Sequence, residues 1–245
     1  MNFLLGAALM FGYYLLIAGL LPVVLMRLTG MPRELARKLH HIFYGLSIFV
    51  LVEGFDTWHH AVLAAGTLVA IAYPTLYFWL ERRPFFKRAF TQRPGEQGEF
   101  RRQLLLVQLS FALLLALTWG LLGHEHRYLA VAAVMAWTFG DAAAALFGKA
   151  FGRRKINHHL VDAGKTREGS GAMAAFAFAA LFLTLLWLGG VPWWAAALAG
   201  MLVAPLSAAV EAISPAGTDT ISVPLATLAA LYPVLTLIEW VAGRA

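Results

Sequence analysis

Long apolar stretches separated by short polar loops are the feature that most constrains this chain. A helix needs roughly 17–25 apolar residues to cross a bilayer. Eight windows of the sequence approach this length. The second window is short, so its helix is predicted to begin earlier, near Pro32, a residue that suits a first helical turn. Prolines at 205, 224 and 233 are predicted to interrupt or kink the last two helices. The predicted spans lie near residues 3–26, 39–53, 60–80, 103–122, 128–148, 169–189, 193–211 and 221–241.

The composition agrees with a membrane protein. Of the 245 residues, 60% are hydrophobic and only 13% are charged, with a mean hydropathy of +0.71; a soluble domain is nearer half apolar and a quarter charged. The short alternating segments of a transmembrane β-barrel are absent from the sequence. We therefore expect an all-α integral membrane protein, a polytopic bundle of about eight transmembrane helices in which residues 1–245 form a single domain. The absence of cysteine excludes disulfides, a thiolate nucleophile and a cysteine metal site.

The basic residues predict the orientation. If the eight spans alternate strictly, loops 27–38, 81–102 and 149–168 share one side and hold 17 of the 19 lysines and arginines. The positive-inside rule makes this side cytoplasmic, so both termini are predicted to be non-cytoplasmic. Because basic loops of a membrane chain set orientation and meet anionic lipid of the bilayer, the net charge of +6 is not taken as a sign of nucleic-acid binding.

Asp141 is the strongest single candidate for a functional residue. It lies about seven residues before the cytoplasmic end of its predicted span, on the order of 10 Å deep. A carboxylate at that depth usually faces the bundle interior or a cavity and has a partner. Small residues follow it at helical spacing, so a helix or a ligand could approach this face: Ala145, Gly148 and Gly152. A structural ion pair or hydrogen bond to a neighbouring helix is the alternative to a functional role.

Glycines and cations follow this helix. Gly148 and Gly152 would allow backbone N–H groups to approach a phosphate, and the next three residues, Arg153, Arg154 and Lys155, add positive charge. A helix-capping glycine followed by ordinary positive-inside residues would give the same pattern.

The segment Lys165-Thr166-Arg167-Glu168-Gly169-Ser170 opens the next span. A helix N-terminus favours anions, and Lys165 can supply a point charge to a phosphate. The alternative is helix capping by Thr166, with Glu168 in the first turn. No GxxxxGK[ST] sequence is present, which excludes a P-loop.

A basic pair and two histidines open the second span. Arg37, His41 and Gly45 share one helical face, which suggests phosphate contact by Arg37 or Lys38 and proton transfer or hydrogen bonding by His41. The alternative is snorkelling of these side chains to the interface, which is the preferred interpretation for His40.

Two further carboxylates fall at the cytoplasmic level of Asp141. Glu211 ends the seventh span and Asp219 precedes the eighth. Oxygen ligands from different helices suit magnesium that also binds phosphates and water; the alternative is a pair of solvated loop carboxylates. The sequence holds neither an HExxH zinc motif nor a G-x-S-x-G nucleophile elbow.

Taken together and in their order along the chain, the motifs described above resemble those of the CTP-dependent lipid-alcohol kinases. This family includes dolichol kinase, phytol and farnesol kinases and the fungal CTP-dependent diacylglycerol kinase. They span residues 37 to 224. Thr220 stands where the family usually has asparagine. The part of the motif set that runs from Asp141 to Gly169 is also similar to phosphatidate cytidylyltransferase. The C-terminal signature of that family, which is basic and contains His-Gly-Gly, is missing from this sequence. The matching pieces are Arg37-Lys38-x-x-His41, Gly140-Asp141-Ala142-Ala143, Gly148-x-x-x-Gly152, Lys165-Thr166-x-Glu168-Gly169-Ser170 and Glu211…Asp219-x-x-x-x-Pro224.

The resemblance implies a single transmembrane catalytic domain that transfers the γ-phosphoryl group of CTP to the hydroxyl of an isoprenoid alcohol or related lipid at the cytoplasmic face. It implies Mg²⁺ held by Asp141, Glu211 and Asp219, catalysis by Asp141, Lys165 and His41, and a hydroxyl proton taken by Asp141 or His41. The residues that it assigns to nucleotide binding are Arg37, Lys38, Gly148, Gly152, Arg153, Arg154, Lys155, Thr166, Glu168 and Gly169.

Two other classes remain open. A cytidylyltransferase would use similar motifs, whereas a transporter would normally bind its substrate near the membrane midplane between broken helices and inverted repeats. Small-residue faces such as residues 169–171 and 195–197 would permit close helix packing within the chain or in a homo-oligomer.

Overall fold

The chain is an all-α polytopic membrane protein. A computed structural model describes residues 3–83, 86, 98–162, 164–215 and 217–243. Within these residues, eight helices are long and apolar enough to cross a membrane, which confirms the predicted fold class and helix number. In chain order they are α1 (Phe3–Thr29), α2 (Arg33–Glu53), α3 (Trp58–Leu80), α4 (Glu99–Leu122), α5 (His124–Phe151), α6 (Arg167–Trp187), α7 (Trp193–Ile213) and α8 (Asp219–Ala242).

The start of α2 and the continuity of the last two helices test two of the predictions. Helix α2 begins at Arg33, directly after Pro32, as predicted. Helices α7 and α8 run through Pro205, Pro224 and Pro233, so the predicted interruption of the spans is wrong, whereas the alternative of a kink stays a prediction. Transmembrane helices tolerate proline because neighbouring groups and small local adjustments satisfy the freed backbone carbonyls.

Helices α1 and α2 depart from regular α-helical geometry at the same place. Helix α1 is π-helical over Tyr13–Leu20, and α2 is divided at Ser47. The hydroxyl of Tyr13 donates to the carbonyl of Phe43 at 2.8 Å, and the hydroxyl of Ser47 donates to the carbonyl of Tyr44 at 2.6 Å. Because lipid cannot satisfy backbone groups, these side-chain bonds stabilise the division of α2.

The chain divides into two compact units, residues 1–116 and 117–245, with the boundary inside α4. In the first unit α3 packs against α4, and α1 contacts α2 and α3. In the second unit α5 packs most extensively against α6 and also contacts α8, while α7 packs against α6 and α8. The expected single catalytic domain stays a prediction.

Helix α5 forms the core of the second unit. Of its apolar window 83% is buried, against half or less in every other span among the described residues. Alanines recur along its buried stretch and let neighbouring helices come close: Ala130, Ala132, Ala133 and Ala136. The buried stretch ends before the last turns of the helix, where Phe147 and Phe151 are exposed.

Candidate functional site

Asp141 is buried in α5, with 8% of the residue exposed. The helix continues to Phe151, three residues beyond the predicted end, so Asp141 lies roughly 15 Å from the end of the helix. The distance from Asp141 to the end of its helix is therefore longer than predicted. A carboxylate held this far inside an apolar helix is costly unless the protein supplies interacting groups.

The small-residue face after Asp141 is filled by α6. A Cβ atom added to Gly148 would lie 3.2 Å from Oγ1 of Thr166 and 3.5 Å from Cα of Gly169. A Cβ atom added to Gly169 would lie 2.9 Å from the carbonyl oxygen of Ala144. We expected a helix or a ligand to come close to this face, and the structure shows that helix α6 does so. Gly148 and Gly169 allow α5 and α6 to cross at this short distance.

Gly152 directly follows the last residue of α5 and caps the helix (φ −65°, ψ 107°). It faces Thr166, as Gly148 does. A Cβ atom there would meet the carbonyl of Gly148 and the side chain of Thr166. The chain turns away at this point because the capping residue leaves helical geometry.

Thr166 caps the N-terminus of α6, as the capping interpretation predicted. Its Oγ1 accepts a hydrogen bond from the backbone N–H of Gly169 at 3.1 Å. In the first turn, Oε2 of Glu168 accepts from the backbone N–H of Arg154 at 3.2 Å. The capping residues therefore also attach the preceding loop to α6.

That loop, residues 152–166, folds back on itself. The N–H of Ile156 donates to the carbonyl of Lys165 at 3.1 Å, and the N–H of Arg167 donates to the carbonyl of Arg154 at 2.9 Å. A single antiparallel bridge joins Lys155 to Thr166. We call residues 152–166 the basic hairpin, because Arg153, Arg154 and Lys155 are exposed along its first arm.

The basic hairpin was not predicted, although the sequence carries a local signal for it. The side chain of Asp162 accepts a hydrogen bond from the N–H of Gly164 at 3.0 Å. An aspartate that bonds the backbone two residues later is typical of a tight turn. This Asp-x-Gly pattern would have indicated the turn that sends Lys165 back towards the helices.

Lys165 forms an ion pair with Glu211 of α7. Nζ of Lys165 donates to Oε1 of Glu211. The Glu211 side chain is 1% exposed and that of Lys165 is 30% exposed. Glu211 is therefore not the solvated loop carboxylate of the alternative interpretation. Its second oxygen, Oε2, is buried and has no hydrogen-bond partner among the described residues.

Two further carboxylates act on Glu211. Asp141 from α5 and Asp219, the first residue of α8, both interact electrostatically with its side chain. The second unit thus gathers one lysine and three carboxylates from the basic hairpin and three helices. We call Asp141, Lys165, Glu211 and Asp219 the acid–lysine cluster. In the part of the chain that the structure describes, no three acidic or histidine side chains are close enough to hold a metal ion.

The candidate residues of α2 belong to the first unit. Nη2 of Arg37 pairs with Oε1 of Glu34 at 2.5 Å. Lys38 is 3% exposed, and Nδ1 of the buried His40 donates to the carbonyl of Ala36 at 2.9 Å. The preferred interpretation of His40 as a snorkelling residue is therefore wrong. Nucleotide contacts by Arg37 and Lys38 and a catalytic role for His41 stay predictions.

Much of the basic loop 81–102 lies outside the described residues, as does Arg244. Comparison of the chain with protein-family models, with curated proteins and with solved structures finds no match.

Proposed function

We propose that this chain is a CTP-dependent lipid-alcohol kinase that phosphorylates an isoprenoid alcohol or a related lipid at the cytoplasmic membrane face. The observation that carries the proposal is the acid–lysine cluster in the second unit. Phosphoryl transfer depends mainly on positioning and on neutralising the charge of the phosphates. A lysine that can meet phosphate, beside carboxylates of the kind that bind magnesium, matches both requirements.

The oxygen donors of the cluster have the chemistry that Mg²⁺ prefers, but its three carboxylates are not close enough together in the described structure to hold an ion as a set. Magnesium that carries a nucleotide commonly takes only one or two protein carboxylates and completes its shell with phosphate oxygens and water. Glu211, whose buried Oε2 has no hydrogen-bond partner among the described residues, would be one such ligand. The resemblance adds Asp141 and Asp219 as candidates, and the ion would neutralise charge on the phosphates.

The chain's own groups then have defined roles. Lys165 would neutralise the transferred phosphoryl group, assisted by the exposed cations of the basic hairpin, Arg153, Arg154 and Lys155. The lipid hydroxyl oxygen attacks the γ-phosphorus, the bond from that phosphorus to the bridging oxygen breaks, and CDP leaves. The hydroxyl proton passes to the carboxylate of Asp141.

The lipid tail would remain among the apolar helices and in the bilayer, so only the hydroxyl group has to reach the nucleotide. The proposed side follows from the charge of the loops, because the basic hairpin carries cations that the positive-inside rule assigns to the cytoplasm. CTP as the donor follows from the resemblance of the motifs.

The test uses the purified full chain in detergent with Mg²⁺, a panel of lipid alcohols, and CTP labelled on either the γ- or the α-phosphate. We expect γ-label in the lipid. Transfer of the α-label would instead identify a cytidylyltransferase, and no transfer of either label to any lipid would overturn the proposal.

Matched variants show whether the cluster performs the reaction. Glu211→Gln should abolish transfer, whereas Glu239→Gln, an exposed carboxylate near the other end of α8, should retain it. Equal activity of the two variants would contradict the assignment of the site.

A further inference from the structure

We infer that Thr138 of α5 binds the hydroxyl group of the lipid substrate and holds its oxygen beside Asp141. This inference rests on the proposed function, which supplies a lipid alcohol as the ligand and Asp141 as the acceptor of its proton. Thr138 itself lies outside the motifs of the resemblance and outside the acid–lysine cluster.

The hydroxyl group of Thr138 is buried without a hydrogen-bond partner. The residue is 0% exposed, and its Oγ1 makes no hydrogen bond among the described residues. A hydroxyl in this situation has lost its hydrogen bonds to water and gained none from the protein, which is unfavourable for folding. A buried polar group that carries this cost in the resting protein is a candidate for contact with a ligand.

Other threonines of the spans satisfy their hydroxyl groups within the protein. Those of Thr67 and Thr236 donate to the carbonyl four residues earlier in the helix, at 2.8 and 3.0 Å. This is a common arrangement for threonine in a helix. Thr227, which is as deeply buried as Thr138, shares a hydrogen bond with the hydroxyl of Ser207 at 2.8 Å. Thr138 instead keeps its hydroxyl available to another molecule.

Thr138 lies one helical turn from Asp141. Residues three positions apart are neighbours on a helix surface, so the hydroxyl and the carboxylate can contact the same small group. Helix α6 packs on the other side of Asp141, where Cβ atoms added to Gly140 and Gly148 would meet side chains of α6 and its cap. Thr138 is also about 5 Å further than Asp141 from the end of α5. A lipid whose tail lies among the helices would therefore reach Asp141 past Thr138.

A hydroxyl group suits an alcohol because it can donate and accept a hydrogen bond. The O–H of Thr138 donates to the oxygen of the lipid alcohol, and the O–H of the alcohol donates to the carboxylate of Asp141. One lone pair of the alcohol oxygen then remains for attack on the γ-phosphorus. On transfer the new oxygen–phosphorus bond forms, the alcohol proton moves to Asp141, and CDP leaves. Thr138 exchanges no proton and holds the attacking oxygen in place.

The first test measures stability without any ligand. Thr138→Val keeps the shape of the side chain and removes the unpaired hydroxyl, so its melting temperature in detergent should equal or exceed that of the wild type. Thr227→Val is the matched control, because it removes a buried hydroxyl that has a partner. Its melting temperature should fall by about 2–4 °C. An equally large fall for Thr138→Val would show that the hydroxyl is structural and would overturn the inference.

The second test measures binding of lipid alcohols without nucleotide. Titration of the full chain in detergent with each alcohol of the panel, farnesol among them, gives the affinities. Thr138→Val should weaken binding about fivefold, the factor that corresponds to one hydrogen bond between uncharged groups. Thr138→Ser and Thr227→Val should retain the wild-type affinity. Farnesene, the corresponding hydrocarbon without oxygen, should not distinguish Thr138→Val from the wild type.

Two results of this titration would overturn the inference. One is equal affinity of Thr138→Val and the wild type for every alcohol, and the other is a wild type that binds none of them.

The transfer assay separates the inference from the proposed function. Thr138→Val should raise the KM for the lipid alcohol about fivefold and leave the KM for CTP unchanged. Alcohol binding that depends on Thr138, without transfer from CTP, would reject the kinase and keep the alcohol site. Transfer with an alcohol affinity and KM that do not change in Thr138→Val would keep the kinase and reject the alcohol site.

Discussion

The ammonium of Lys165 is bonded to Glu211, which lies 46 residues further along the chain. This single ion pair ties the basic hairpin to α7, next to a buried aspartate of α5 and the first residue of α8. It connects the basic hairpin of the second unit with the groups that we assign to the reaction.

Removing the lysine tests how much this ion pair contributes to the stability of the fold. Lys165→Met should lower the free energy of unfolding by about 2 kcal/mol, less than for a fully buried pair because Lys165 is partly exposed. Lys165→Met combined with Glu211→Gln should recover part of that loss, since Glu211 then no longer carries a buried charge without its lysine. Thermal unfolding in detergent measures both effects, and additive losses in the double variant would contradict the pairing.

The same lysine should be needed for transfer. Loss of a group that stabilises transition-state charge typically costs on the order of 10²–10³-fold in rate, so Lys165→Met should lower γ-phosphoryl transfer by about that factor. The double variant should stay equally inactive although its stability improves. Activity that recovers with stability would assign Lys165 a purely structural role.

The crossing of α5 and α6 should be sensitive to one methyl group. Gly169→Ala places a Cβ atom 2.9 Å from the backbone carbonyl of Ala144, so it should destabilise the protein by about 1–3 kcal/mol. Gly148→Ala meets a side-chain oxygen at 3.2 Å and should cost less. The control is Gly171→Ala, because no atom lies within 4 Å of its added Cβ. Equal melting temperatures for all three variants would be incompatible with the observed packing.

The cap of α6 should affect stability and activity together. Thr166→Ala removes the bond to the N–H of Gly169 and should cost about 1 kcal/mol, whereas Thr166→Ser should keep most of it. Because Lys165 precedes the cap directly, Thr166→Ala should also reduce transfer beyond its effect on folding. Thermal unfolding and the labelled-CTP assay, run on the same samples, separate the two effects.

The division of α2 should depend on a hydroxyl group of α1. Tyr13→Phe removes the hydrogen bond to the carbonyl of Phe43 and should lower the free energy of unfolding by about 1 kcal/mol. Tyr232→Phe, at an exposed position on α8, makes the same change and should be neutral. No difference between the two would mean that the backbone of α2 is satisfied without Tyr13.

Sequence patterns predicted the helices because apolar length alone decides which segments can cross a bilayer. They also predicted the cap at Thr166, since capping is a local interaction. Continuity through Pro205 was not predicted, because the groups that satisfy a freed carbonyl in a membrane helix come from the tertiary structure.

The pairing of the acid–lysine cluster could not be predicted. Lys165 and Glu211 were each identified as candidates, yet nothing local specifies that they bond to each other, because the contact depends on how the basic hairpin folds back. The apolar pattern likewise ended this span at residue 148, three residues before α5 ends at Phe151. Long-range contacts and exact helix ends depend on packing that one-dimensional periodicity does not contain.

The hydrogen bonds at the base of the basic hairpin have a practical consequence for probes of this protein. Because the bonds between Arg154 and Arg167 and between Ile156 and Lys165 close the loop, the exposed tip at residues 158–160 can vary in length without moving Lys165. A fluorophore attached there would report on the basic hairpin without replacing any member of the acid–lysine cluster. Its emission could then follow cation and nucleotide arrival in real time, in liposomes as well as in detergent.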